Sequence, residues 1–517
     1  DSAGNIFFDG DKRELVLSFK NESAKTQSVT ASYKVYEQDT PNEVNCGSDS
    51  FTVDAGKTVE ETFVPSVTRY GCYILEVTLS GDVGGVFEIP FSLSVVNTAD
   101  TRSERLGVAS HIRMSSDIEG EISIIDKAGF NGIRTEYDWM KFEKVKATPV
   151  VYGAADDKPV FEEPENYTRY LGEANKRGLD IKVFFTGGHH NYKNAAGAKP
   201  SQFDMPDCDS QRKAYARALS AMLEINSDKI STVEILNEPD LTGSNQQGLE
   251  PEYYVQLIRD TYKAVKPNYP NVEIAPYAVG NLWETRASHW FYGSLIPYYK
   301  GSFLLDTDSD GQYDMAQYSD AYTAHPYVKT FIDETRNIQN AYEDTDDLKS
   351  ALKRYNCGNK PLYHTEYGFS ASYVLGGEDN TGVWYVMSDR EQAAKIVRNT
   401  LEMFGKNMGD KFYIYNFAET GLSDNYLEHT YGLTESAERE YPYAAKPGII
   451  AVANLNELLG GYIDCETIAH DNNKSVYKFT DGTGRQVYTF SAESTETYTF
   501  DPGNENVLFY DMYGNKM

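Results

Sequence analysis

Between residues 101 and 461 the chain repeats one local pattern eight times: a short run rich in β-branched and aromatic residues, then a longer run with helical spacing. The strand-like runs are "RLGVAS", "GFNGIRTEY", "GLDIKVFFTG", "STVEILNE", "NVEIAPYAVG", "SDAYTAHPY", "KPLYHTEYG" and "KFYIYNFAE". The helical runs include "EISIIDKAG", "YTRYLGEANKRG", "QRKAYARALSAMLEIN", "EYYVQLIRDTYKAVK", "TDDLKSALKRYN" and "REQAAKIVRNTLEMFGK", several ending on Gly or Asn as a helix stop should. Strands that alternate with helices pair in parallel through right-handed crossovers, and eight such units close on themselves. The reading is an α/β fold, a (β/α)8 TIM barrel over residues 101–461, with "AKPGIIAVANLNELLGG" as its last helix.

The flanks have a different rhythm. Residues 1–100 alternate polar and apolar in short runs such as "ELVLSFKN", "SVTASYKVYE" and "CYILEVTLSG", with turn residues every eight to twelve positions. That pattern predicts an immunoglobulin-like β-sandwich whose task is support. Residues 462–517 return to strands ("SVYKFTD", "RQVYTFSAE", "NVLFYDMYG") and form a small C-terminal β domain, expected to pack on the barrel or join the sandwich. Cys46 and Cys72 are near neighbours in the sandwich and could pair; the other three of the five cysteines are isolated and show no zinc spacing.

The net charge of −30 argues against nucleic acid and anionic membrane surfaces, which need basic patches. No run of eighteen apolar residues exists, so no membrane span is expected. The chain opens "DSAGNIFFDG" without an initiator Met, which reads as a processed or trimmed product; with the acidic charge, a secreted, periplasmic or cell-surface location is expected. The 40 Tyr and 24 Phe suit well-filled cores and equally suit stacking on the apolar faces of sugars.

In such a barrel the chemistry sits at the C-terminal ends of the strands. Strand four runs into "NEPD", where Pro239 ends the ladder and places Glu238 at the rim. Strand seven ends at Glu366, across the mouth. Two facing carboxyl groups are what glycoside hydrolysis requires: one protonates the leaving oxygen, and the other attacks the anomeric carbon or activates water.

"NEP" on strand four paired with "TEYG" on strand seven resembles the clan A glycoside hydrolases, and within them family 39 and its relatives. The resemblance covers the barrel. It implies a retaining β-glycosidase working by double displacement, with Glu238 as acid/base and Glu366 as nucleophile. It also implies that Asn237 bonds the sugar 2-hydroxyl. "GFNGIRTEYDWMKFE" is similar to the family's second strand and would bring Arg134 and Trp139 to the mouth; "AHPY" is similar to its sixth and would bring His325 and Tyr327 near the nucleophile. Many clan members carry Trp at the end of strand eight, where Asn416 or Phe417 stands here. Glu238 is expected to carry the proton in the resting enzyme, with Glu366 held ionised by donors such as His325, Tyr327 or Arg134.

Two further motifs stand apart. "GGHHNY" puts His189 and His190 after strand three, where substrate contact is the preferred reading, beside a structural loop or a metal; His111 after strand one is a weaker version. "LLDTDSDGQYD" places Asp306, Asp308, Asp310, Gln312 and Asp314 in the order of a calcium loop, with Gly311 at its turn. Position twelve is Gln317 rather than the bidentate Glu, so a structural calcium and a solvated acidic turn stay open together. No cofactor is expected for catalysis. The partner is an oligosaccharide or polysaccharide, and the alternative is a non-catalytic carbohydrate-binding protein on a hydrolase barrel. The loops after strands two, three and six are long, which leans towards a partly closed pocket.

Overall fold

The computed structural model describes residues 3–38, 43–98, 102–241, 243–280, 298–327, 338–371, 387–424, 426–471, 473–501, 503 and 507–517. Among the described residues, seven strands precede the barrel: β1 (Ile6–Phe8), β2 (Leu15–Lys20), β3 (Gln27–Glu37), β4 (Glu43–Val53), β5 (Thr58–Phe63), β6 (Gly71–Gly81) and β7 (Gly85–Ser94). They form a five-stranded sheet in the order β1-β7-β6-β3-β4 and a two-stranded sheet β2-β5. The alternation in β2, β3 and β6 turns Leu15, Leu17, Ala31, Tyr33, Val35, Leu75 and Val77 into one apolar core between the sheets. Cys46 and Cys72 are free: β3 runs between their strands, Cys46 opposite Lys34 and Lys34 opposite Glu76, so the two sulfurs never meet.

The eight barrel strands are β8 (Leu106–Ala109), β9 (Gly132–Tyr137), β10 (Asp180–Phe185), β11 (Ile230–Ile235), β12 (Glu273–Ala275), β13 (Tyr322–Ala324), β14 (Leu362–Tyr367) and β15 (Lys411–Ile414). All neighbours pair in parallel, in the order β12-β11-β10-β9-β8-β15-β14-β13. The ring closes between β12 and β13, where Thr323 N–H donates to Pro276 O (3.1 Å) and His325 N–H to Val279 O (3.0 Å). The helices between and after them are α1 (Ile118–Lys127), α2 (Trp139–Phe142), α3 (Glu165–Lys176), α4 (Asp209–Asn226), α5 (Pro251–Val265), α6 (Tyr298–Phe303), α7 (Asp314–Gln317), α8 (Ile338–Arg354), α9 (Asp389–Gly405) and α10 (Pro447–Leu459). Local chemistry sets their starts: Asp117 accepts from Gly120 N–H at α1, Ser388 and Glu391 form a capping box at α9, and α5 and α10 carry Pro in the first turn. The architecture is therefore a (β/α)8 barrel with β domains at both ends.

The lower barrel interior is polar. Lys182 Nζ donates to Thr232 Oγ1 (2.7 Å) and lies 3.4 Å from Asp180, which also pairs with Lys411. Thr232 Oγ1 and the Tyr363 hydroxyl donate to Glu273 (2.8 and 3.1 Å). Paired charges of this kind replace the usual layers of branched apolar residues. Among the described residues no helix is long and apolar enough to cross a membrane.

The last strands, β16 (Tyr462–His470), β17 (Lys474–Asp481) and β18 (Gln486–Ala492), form an antiparallel sheet against α9, where Tyr462 packs on Phe404. The final residues then reach the N-terminal sandwich. Asn515 Nδ2 donates to Tyr70 O (3.0 Å), its Oδ1 accepts from Tyr70 N–H (2.8 Å), and Asp511 pairs with Arg69. The tail thus does both things expected of it. The loop after β13 lies from residue 328 onward outside the described residues.

Candidate active site

β11 ends at Ile235, and the next residues leave strand geometry: Leu236 has φ 64° and Glu238 φ 48°. Glu238 thus precedes Pro239 in the left-handed region rather than the extended one that a following proline favours. Its N–H donates to Ala278 O (3.0 Å), in a segment where Tyr277 and Ala278 also have positive φ. Such backbone persists only where neighbours over-determine it, and Tyr254 OH and Thr323 Oγ1 accept the two N–H groups there.

Glu366 reaches the interior by a different device. The pairing of β14 with β15 slips between His364 and Tyr367, where three steps on β14 face two on β15. The extra residue reverses the alternation. Tyr363 points into the barrel at Glu273, yet Tyr367, an even number of residues later, bonds Thr400 on α9 outside it. Glu366 consequently faces inward.

The two carboxyl groups meet at His325. Its Nδ1 lies 2.9 Å from Glu238 Oε1 and 3.6 Å from Glu366 Oε2, and one oxygen of each carboxylate and a ring nitrogen of His325 all fall within 4.8 Å of one another. Beneath them Arg134, 2% exposed, donates from Nε and Nη2 to Glu234 (2.9 and 2.6 Å), from Nη2 to Asn237 Oδ1 (2.6 Å) and from Nη1 to Glu366 Oε1. The Tyr327 hydroxyl donates to Glu366 Oε2 (2.8 Å). Burial alone would raise the Glu366 carboxyl, but the charges of His325 and Arg134 and the Tyr327 hydrogen bond outweigh it and hold it below the ordinary value. Burial likewise opposes charge on His325, and Glu366 together with the bond to Glu238 overturns that and raises it.

A His and two Glu at this spacing also suit a metal. Arg134 stands against that use here, because its guanidinium already bonds Glu366 and would face the ion's charge across one carboxylate.

The other expected residues separate. Glu238, Glu366, Asn237, His325 and Tyr327 come together. Arg134 joins them from below and is buried, so it holds Glu366 in place rather than lining the mouth. Trp139 is 1% exposed and donates from Nε1 to Glu143 (2.9 Å). His189 stacks with it, its Nε2 against Glu143 O (3.1 Å), and burial pushes it down to about 4. These two belong to an aromatic core with Phe185, Tyr192 and Tyr215, while His190 is half-buried in the adjacent loop. Asn416 and Phe417 are buried, and Phe417 packs on Tyr443. The residue that strand eight sends to the mouth is Tyr415, beside His111, Tyr327 and Tyr431. His111 itself is tied to Glu136, Nδ1 to Oε2 2.8 Å.

In the acidic loop, Asp306, Asp308 and Asp310 converge, each offering an oxygen within 4.8 Å of the others. Around them, Gln312 N–H donates to Asp310 (2.9 Å) and Asp314 accepts from Thr307 N–H (3.2 Å). Lys263 Nζ lies 2.6 Å from Asp308, and Gln317 donates to both oxygens of Asp310.

Residues missed in the sequence are Glu234, Tyr415 and Gly280. Glu234 had a signal: it sits two residues after Thr232 on a buried strand, so a charge there had to point into the barrel. Tyr415 needed only the same parity carried from Tyr413, whose hydroxyl donates to Asp180 inside the barrel (3.4 Å).

No family model and no curated protein matches the chain. Among solved structures it is similar to a family 39 glycoside hydrolase from the gut symbiont Bacteroides cellulosilyticus WH2, at 20% identity over 99% of this chain and 94% of that one, with a TM-score of 0.68. Looser similarities are to a monomeric β-xylosidase from Caulobacter crescentus CB15 (17% identity, 75% of each chain, TM-score 0.48) and a GH2 β-galacturonidase from Eisenbergiella tayi (13%, 87% of this chain and 70% of that one, 0.43). The first of these establishes that the whole three-part fold is shared with a family 39 glycoside hydrolase.

Proposed function

We propose that the protein is a retaining β-glycosidase acting on oligo- or polysaccharides. The observation that carries this is the spacing of Glu238 and Glu366, whose nearest oxygens are within 4.8 Å. Retaining enzymes hold their carboxyl groups about 5 Å apart, whereas inverting ones leave about 6.5–9.5 Å for a water between them. The family 39 fold supports the same reading.

In this reading Glu366 attacks the anomeric carbon while Glu238 gives its proton to the glycosidic oxygen, releasing the alcohol. Glu238 then takes a proton from water, which displaces Glu366 and restores both groups. Arg134, Tyr327 and His325 keep Glu366 charged for attack. Asn237 commits its oxygen to Arg134, which leaves its –NH2 as a donor for a sugar hydroxyl. A non-catalytic carbohydrate-binding protein is the alternative; the charged state imposed on Glu366 favours the enzyme.

A panel of aryl β-glycosides and polysaccharides tests it. Glu366→Gln should lower kcat at least about 1,000-fold with folding intact, as removal of a nucleophile does. Glu238→Gln should lose far less on aryl glycosides with good leaving groups, which need no proton, and azide should restore part of the rate. Equal activity in wild type and Glu366→Gln would overturn the assignment.

The loop at Asp306, Asp308 and Asp310 is proposed to hold a structural calcium, with Lys263 competing for Asp308. Calcium added after chelation should raise Tm by a few degrees; no change would leave Lys263 and Arg259 to balance the loop's charge. The acidic composition supports the proposal of an exported location.

A further inference from the structure

The two carboxyl groups of the site are held in different ways. Glu366 is fixed by three side chains, Arg134, Tyr327 and His325. Glu238 meets His325, and its backbone stands in the left-handed region before a proline, a conformation that its own sequence disfavours.

That backbone is tied to the segment after β12. Glu238 N–H donates to Ala278 O (3.0 Å). Two residues on, Asp240 Oδ1 accepts from Gly280 N–H (3.0 Å). The turn 238–240 and the segment 278–280 are thus bonded at both ends. Between the two ties, Val279 O accepts from His325 N–H (3.0 Å). One three-residue segment therefore carries the backbones of both Glu238 and His325, and their side chains meet across it with Nδ1 2.9 Å from Oε1. Asp240 is 2% exposed, and the mechanism above gives it no task.

From this we infer, building on the reading of Glu238 as acid/base, that Asp240 is a positioning residue: its carboxylate anchors Gly280 and so aims the Glu238 carboxyl group at the glycosidic oxygen.

A buried carboxylate is costly unless it accepts hydrogen bonds, and a charged acceptor holds an N–H more firmly than a neutral one. The tie to Gly280 is therefore stiff. It also brings the chain close against the acid, since a Cβ on Gly280 would lie 2.7 Å from Glu238 Oε1. Thr323 braces the same segment from β13, its Oγ1 accepting from Ala278 N–H (2.8 Å). A general acid works only within hydrogen-bond reach of the atom it protonates, and a misplacement near 1 Å costs about 100-fold. Glu366 keeps its own supports on Arg134 and Tyr327, so loosening Asp240 should harm proton donation and spare nucleophilic attack.

The test uses phenyl and 2,4-dinitrophenyl β-D-glycosides of xylose, glucose and galactose. A phenolate is a poor leaving group that needs a proton, and dinitrophenolate leaves without one. For the sugar that wild type turns over best, Asp240→Ala should lower kcat/KM on the phenyl glycoside about 10–100-fold and on the dinitrophenyl glycoside less than about threefold. Glu238→Gln should show the same selectivity more strongly. Asp240→Asn keeps an oxygen for Gly280 N–H and should recover part of the phenyl activity. Thr323→Val keeps the shape but removes the acceptor on the other side of the segment; it should give the same selective loss, and it carries the test if Asp240→Ala does not fold, as read by Tm. Equal losses on both leaving groups, or no loss on either, with Glu238→Gln still selective, would overturn this inference and leave the role of Glu238 standing. A Glu238→Gln variant without selectivity, or a wild type that cleaves none of the six glycosides, would bring down the acid/base reading and this one with it.

Discussion

Arg134 has five N–H groups and no acceptor, so a buried arginine can stand only where acceptors surround it. Here Glu234, Asn237 and Glu366 supply them. The same residue therefore stabilises the barrel and keeps Glu366 charged. Tyr327 offers a cleaner probe, because only its hydroxyl bonds the carboxylate. Glu366 is held low, so its ionised form is populated across the mildly acidic range, and removing a donor moves its titration upward. Tyr327→Phe should therefore shift the acid limb of kcat/KM to higher pH. The loss should be about tenfold at the acid end and smaller at neutral pH, since a hydrogen bond to a charged group contributes about 1.5–3 kcal/mol. A uniform loss at all pH values would show that the hydroxyl acts on the substrate instead. Glu238 and Glu366, the two carboxyl groups that meet at His325, were legible as residues, since proline and strand ends mark them in one dimension. Their partners were less so: Trp139, His189 and Phe417 look like site residues in sequence but their large apolar bodies are drawn into the core.

At the scale of elements, the site depends on irregularities rather than on regular strands. The slip in β14 turns Glu366 inward, and the positive-φ residues after β11 and β12 bring Glu238 to His325. Gly280 is part of this fit: a Cβ there would lie 2.7 Å from Glu238 Oε1 and 2.7 Å from Leu241 Cδ1. Both are ends of flexible side chains, so Gly280→Ala should change Tm little. It should displace the carboxylate from His325 and lower kcat about 10–100-fold, because misplacement near 1 Å is enough for that. A large fall in Tm with unchanged kcat would contradict this. A bulge cannot be seen in sequence, since "LYHTEYG" reads as one unbroken strand; the slip is decided by which residues β15 offers opposite it.

For the whole molecule, three β layers lock around one barrel. β1 shows how: Phe7 enters the sandwich core, while Ile6 and Phe8 enter the core of the barrel. The C-terminal tail completes the contact, with Asn515 bonded to both backbone groups of Tyr70 and Asn454 of α10 donating to Met512 O (3.2 Å). Asn515→Ala leaves the Tyr70 N–H and C=O without partners at a largely buried site and should cost about 1–3 kcal/mol, read as a lower Tm with unchanged KM. A change in KM would mean that the sandwich reaches the substrate. The eightfold alternation, the closing of the barrel and the two glutamates at strand ends were determined by the sequence alone, because periodicity and proline act locally. The pairing of Glu366 with Arg134 and the clasp of Asn515 on Tyr70 were decided only by the tertiary structure. Each joins residues more than 200 positions apart, and the side chains carry no local mark of the partner that packing gives them.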